Sequence, residues 1–142
     1  MNYLIDTNVI SEVRKGTKCD PHVAAWFASI HDANLYLSVL AVGEIRRGIE
    51  LVRTRDPAQS GALDRWLAEV AKSFADRIIP IDRAVADAWG QMSAVRTIPA
   101  IDALMAATAK VHRMTLATRN VLHVAGLGAL ILNPFEPRAH RS

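Results

Sequence analysis

The chain has 142 residues, with 17 Lys and Arg against 14 Asp and Glu, a net charge of +3 and one cysteine. That length suits one domain with a sizeable core, since domains cluster at roughly 100–150 residues, and a 51% hydrophobic fraction excludes disorder. The lone Cys19 excludes an internal disulfide framework and a cysteine-based zinc site, which leaves a reducing cytoplasm as the expected compartment.

Asn2 to Ile5 is an apolar run ending at Asp6, and reads as a buried strand. The opening MNYLIDTN has an acid at its sixth residue and no basic stretch, unlike an export signal. Thr7 or Asn8 is placed to cap a helix in which Val9, Ile10 and Val13 fall at helical spacing. After a break at Gly16 to Asp20, Pro21 opens a second helix reaching Ile30. Leu35 to Leu37 is the next strand, ending at Ser38. From Val39 the period turns helical, with Val42, Ile45, Ile49 and Val52 on one stripe and Glu44, Arg46, Arg47 and Glu50 off it.

Asp56-Pro57 opens another helix, where Leu63, Trp66, Leu67, Val70 and Phe74 recur at three and four. Ile78 to Ile81 reads as a short strand and Asp82 as the cap of a helix running to Arg96. Pro99 starts a further helix, PAIDALMAATAKV, with Ile101, Leu104, Met105, Thr108 and Val111 expected inward. Thr115 to Thr118 and Ala129 to Leu132 read as two more buried strands, so the domain spans 1–133 and 134–142 is a C-terminal tail. The longest run free of Lys, Arg, Asp and Glu is 16 residues, Asn120 to Phe135. It falls short of the ~20 that span a bilayer, so no membrane partner is expected. Apolar strands alternating with helices predict an α/β fold: a central, mainly parallel sheet with helices on both faces, three layers in all.

In open α/β sheets the ligand crevice lies at the carboxyl ends of the strands. Asp6 ends the first strand, and Thr118 and Asn120 occupy the same place after the Thr115 to Thr118 strand. Asp6 also fits the role of an N-cap acid. Asp102, in the first turn of the Pro99 helix, is either an acid stabilised by the helix dipole or one that needs a partner among Ala100, Ile101, Ala103 and Leu104. Glu44 is either a surface pair for Arg47 or a third member of an acidic edge. Three converging carboxylates would raise one another's pKa unless a cation stands between them. Hard divalent ions, Mg2+ or Mn2+, resolve that conflict and suit phosphodiester hydrolysis. Of the 17 basic residues 13 are arginine, whose planar fork suits phosphate, although a GC-rich coding bias gives the same skew.

Four segments, YLIDTNVISEV, SVLAVGEIRRGI, PAIDALMAATA and LATRN, stand in an order that resembles the PIN domains of the VapC toxin family, in particular the FitB-like branch. The resemblance runs from Met1 to about Pro134. It implies a PIN-like fold and a metal-dependent endoribonuclease, the toxin of a type II toxin–antitoxin pair, cutting RNA with Mg2+ or Mn2+. By motif, Asp6, Glu44 and Asp102 map onto the family's acids and would hold the metal, while Thr118 and Asn120 map onto the polar residues that complete the catalytic set. The implied partners are an RNA substrate, a second copy in a homodimer, and a cognate antitoxin that can build a higher assembly. Arg46, Arg47 and Arg119 flank the acids and are candidates for holding the RNA backbone.

One position departs from the family pattern: His123 stands where many relatives have another acid. An imidazole there can ligate a metal, touch a phosphate or pair with one of the acids, and the lost charge weakens hold on a second ion. This motivates the alternative of a catalytically impaired PIN scaffold that binds RNA or protein. His22, His31, His112 and His140 show no metal-ligand spacing. A phosphatase with an aspartyl nucleophile is disfavoured because Asn8 stands where it needs a second acid, and no glycine-rich phosphate loop is present.

Overall fold

The computed structural model describes residues 1–137; His140 and the rest of the expected tail, 138–142, lie outside them. Five strands, β1 (Tyr3–Ile5), β2 (Leu35–Ser38), β3 (Ile78–Ile79), β4 (Thr115–Ala117) and β5 (Leu130–Leu132), form one sheet in the order β3-β2-β1-β4-β5. Every pairing is parallel: Tyr3 lies opposite both Leu35 and Thr115, Leu37 opposite Ile78, and Leu116 opposite Ile131. The connecting helices are α1 (Thr7–Val13), α2 (Pro21–Ser29), α3 (Val39–Arg53), α4 (Pro57–Phe74), α5 (Arg83–Ser93), α6 (Ala100–Val111) and α7 (Val121–Val124). From β1 the chain steps to β2 and β3, then crosses back to β4 and β5. With right-handed crossovers, α1 to α4 cover one face and α5 to α7 the other. The expected three-layer α/β architecture is the one found.

Local chemistry explains the boundaries. The side chains of Asp20, Ser38, Asp56 and Asp82 cap α2, α3, α4 and α5 by accepting from backbone amides of the first turn. Helix α1 begins at Thr7, so its cap is Asp6 rather than Thr7 or Asn8. Strand β3 stops at Ile79 instead of Ile81 because Pro80 has no amide to donate to a ladder. Helix α5 ends at Ser93, three residues before the expected Arg96. The short α7 was not expected from periodicity, four residues being too few to show one.

The core is centred on β1, where Leu4 and Ile5 are fully buried between the helical layers, with Val9, Val23, Trp26, Leu37, Ile49, Met105 and Leu116 packed around them. Helix α6 meets the sheet through small side chains, Ala103, Ala106, Ala107 and Ala109 with Met105 and Thr108. That choice turns Ile101 outward, against expectation, and leaves Leu104 and Val111 only half-buried. Strand β5 is an edge strand, and Leu130 is exposed rather than buried. Beyond it Pro134 is buried and Phe135 packs against the core. Among the described residues no helix is long and apolar enough to cross a membrane.

Since Leu4 is fully buried on the central strand, Leu4→Ala is expected to lose about 2–5 kcal/mol of stability by transfer and cavity effects together. Urea unfolding measures it, and a loss below about 1 kcal/mol would contradict the packing described.

Candidate active site

The strand order reverses between β1 and β4, and in such sheets the crevice outside the carboxyl ends opens at that switch point. Asp6 follows β1 and Thr118 follows β4. The register of the two strands puts the residues side by side: the Asp6 amide donates to the Ala117 carbonyl at 2.9 Å, and Thr118 Oγ1 donates to Asp6 Oδ2 at 2.6 Å. Both are almost wholly buried. Asp6 Oδ1 accepts from the Thr7 amide at 2.7 Å, so one carboxylate caps α1 through one oxygen and reaches across the sheet with the other.

The surroundings extend this pair. Asn8 Nδ2 donates to Asp6 Oδ2 at 3.3 Å, and Asn8 Oδ1 accepts from the Arg119 amide at 3.2 Å, tying the start of α1 to the turn after β4. The Asn120 amide donates to Thr118 Oγ1 at 3.0 Å. Glu44, in the second turn of α3, accepts from Thr7 Oγ1 at 2.5 Å rather than pairing with Arg47. Asp102, in the first turn of α6, lies 2.5 Å from His123 Nδ1 on α7.

The electrostatics follow from burial. Loss of solvent raises the Asp6 carboxyl above the usual carboxylate range; the bonds from Thr118 and the Thr7 amide oppose this, and the charges of Asp102 and Glu44 push it further up. Glu44 is bound to Thr7, whose amide donates to Asp6, and Asp102 meets His123, three residues past Asn120. The five residues singled out from the sequence therefore stand at one sheet edge, with Asp6, Thr118 and Asn120 in one hydrogen-bonded chain and Glu44 attached to it through Thr7. Among the described residues no three His, Cys, Asp or Glu side chains are gathered into a ready-made metal cluster. Glu44 and Asp102 are turned toward Thr7 and His123.

From the sequence Thr7 and Asn8 have no part in the site beyond capping, apart from Asn8 disfavouring a phosphatase, yet both hold acids or the loops beside them. Their signal was position, polar residues directly after a strand-terminal acid. Of the flanking arginines, Arg46 is engaged by Asp64 at 2.5 Å and by Glu50, a surface network that also holds Arg53. Arg47 and Arg119 are exposed. His22, His31 and His112 are exposed as well, and His31 caps a short turn by accepting from the Ala33 amide.

A raised carboxyl pKa means that the charged form of Asp6 weighs against the metal-free fold above that pKa, and the penalty fades as pH falls and Asp6 is protonated. Asp6→Asn is therefore expected to raise the melting temperature at pH 7 in EDTA, by roughly 3–5 °C for each kcal/mol relieved. The difference should shrink as the pH drops into the carboxylate range. A melting temperature that falls at pH 7 would overturn this account.

Comparison with known proteins adds a family to this geometry. Residues 3–121 match the PIN domain. Toxin FitB of Neisseria gonorrhoeae is 33% identical over 138 residues, covering 94% of this chain and 98% of that protein. VapC ribonuclease Y4jK of Sinorhizobium fredii is 34% identical over 139 residues, with 94% and 98% covered. The solved structure of FitAB bound to the IR36 DNA fragment superposes with a TM-score of 0.87 at 32% identity, over 98% of this chain and 99% of that one. A reversed parallel sheet with acids at its switch point, matched in sequence over nearly its whole length, belongs to the PIN domain family.

Proposed function

We propose that this protein is the toxin of a type II toxin–antitoxin pair, a divalent-metal-dependent endoribonuclease that hydrolyses phosphodiester bonds in RNA. The observation that carries the reading is the charge imbalance at the switch point. Asp6 is buried with the charges of Glu44 and Asp102 beside it, and among the described residues no Lys or Arg forms an ion pair with any of the three. An oxygen-only donor set short of positive charge fits a hard divalent ion, Mg2+ or Mn2+, held by Asp6, Asp102 and Glu44. Such an ion supplies Lewis acidity and charge neutralisation at the scissile phosphate.

The remaining work falls to the chain. Thr118 fixes the direction of the Asp6 carboxylate by donating to Oδ2, so Asp6 does not lose orientation entropy when it binds. Asn120, held by its backbone amide to Thr118, lines the cleft beside the carboxylates, where its side-chain amide would orient the phosphate. Arg47 and Arg119 would meet the RNA backbone, whereas Arg46 is already neutralised by Asp64 and Glu50. The likeness to FitB and to a VapC ribonuclease supports the same reading, with a cognate antitoxin and a second copy of the chain as partners and the cytoplasm as the place of action.

A specific contact favours a second reading. His123 occupies Asp102, and a scissile site whose acid is held by an imidazole suits an impaired PIN scaffold that binds RNA or protein without cutting.

The two readings separate in a cleavage assay on total cellular RNA with antitoxin-free protein in Mg2+, Mn2+ or EDTA. Discrete fragments are expected with either metal and none in EDTA. Asp6→Asn and Asp102→Asn are each expected to lower the rate by about a hundredfold or more, the scale of losing one electrostatic partner of a transition state. Full activity in either variant would sink the assignment. Folded protein that fails to cut in both Mg2+ and Mn2+ would leave the impaired scaffold as the answer.

A further inference from the structure

The cleft beside the carboxylates carries groups that cutting alone does not call for. It lies between the start of α7 and the turn after β5, has a volume of about 530 Å3, and is lined by Arg119, Asn120, Leu122, His123, Asn133 and Glu136 among others. That is room for a nucleobase with its ribose, within the range of small-ligand sites. Asn120 bonds to Thr118 and His123 to Asp102, so a nucleotide seated here abuts the acidic edge.

The polar groups of the turn form a definite pattern. Asn133 Oδ1 accepts from the Phe135 amide at 3.0 Å, and the Glu136 amide donates to the Asn133 carbonyl at 3.3 Å. With its oxygen engaged, Asn133 has its Nδ2 donor left for a ligand, and Glu136, which lines both this cleft and the neighbouring hollow beside His22 and Trp26, has a carboxylate that only accepts. Two acceptors beside one donor complement guanine among the four bases. Its Watson–Crick edge carries the N1 and N2 donors side by side next to the O6 acceptor. Adenine and cytosine offer one amino donor beside an acceptor, and uracil one donor between two acceptors. The Arg119 guanidinium lies 3.9 Å from the Phe135 ring centroid, a stack that fixes its plane as a platform for a base. Leu122, 86% exposed, supplies apolar cover that the fold itself does not use.

Resting on the ribonuclease reading above, we infer that this cleft is a guanine-binding subsite for the nucleotide next to the scissile phosphate, with Glu136 its specificity-determining residue. Unstacked bases of single-stranded RNA are read in this manner, by stacking on a guanidinium and by hydrogen bonds to the Watson–Crick edge.

The test uses the full chain and two fluorescein-labelled RNA octamers, identical except that the only guanine of one is adenine in the other. Binding is followed by anisotropy in EDTA, and cleavage on gels in Mn2+. The guanine octamer is expected to bind about tenfold more tightly, the scale of one bidentate base contact, and to be cut beside the guanine. Glu136→Gln should bring its affinity down to that of the adenine octamer without moving the latter, and Glu136→Asp should keep part of the preference. An inosine octamer, lacking the 2-amino donor, should fall between the two. Equal or unmeasurable binding of both octamers by the native protein, or a preference that survives Glu136→Gln, would overturn the subsite. Guanine-selective binding with no cutting of any RNA would keep the subsite and sink the ribonuclease reading, and cutting without base preference would do the reverse.

Discussion

A carboxylate buried at the centre of a protein raises its free energy unless the fold surrounds it with donors or a cation. Asp6 is that group here, and much of the surrounding architecture answers to it. One oxygen takes the first amide of α1, the other takes the Thr118 hydroxyl, and Asn8 joins the same oxygen while holding the turn after β4. These donors offset part of the desolvation, but they leave the charge, and Glu44 and Asp102 add to it. The site is thus held rigid and left electrostatically incomplete. That combination supports the proposed divalent ion, and under that proposal it places function and stability of the metal-free chain in opposition.

Several parts of this arrangement are legible in the sequence because one local rule governs each. An apolar strand ending in an acid marks Asp6, a strand ending in a hydroxyl marks Thr118, and an acid among alanines marks Asp102. Caps at Asp20, Ser38, Asp56 and Asp82 delimit helices by side-chain chemistry alone. The family expected from the four ordered motifs is the one matched. Other parts are set by tertiary contact and leave no local trace. The Glu44–Thr7 bond spans 37 residues, and nothing near Glu44 distinguishes it from a partner for Arg47. Ile101 turns outward because the alanine face of α6 allows a closer approach to the sheet than a branched side chain would. Periodicity counts apolar residues and does not weigh that closeness.

The side of the site that carries His123 depends on a single distant arginine. Arg96, just past α5, donates Nη2 to the carbonyls of His123 and Ala125 at 3.0 and 2.9 Å, where the last turn of α7 has no helical partners. Four residues make no self-sufficient helix, so the orientation of His123 toward Asp102 rests on this clamp and on packing of Val124, which is buried. The opposite side depends on no such clamp, since Glu44 belongs to the 15-residue α3.

The β1–β4 pairing also has a consequence in time. Asp6 and Thr118, joined in the finished molecule, are separated by 112 residues of chain. At synthesis rates of roughly 5–20 residues per second, they are made about 6–22 seconds apart. Throughout that interval the central strand lacks one of its two neighbours, and the first acid is present without the hydroxyl that aims it. A nascent chain still on the ribosome therefore carries an unassembled site, and the RNA-rich machinery making it is exposed to the finished edge only once β4 has emerged and docked.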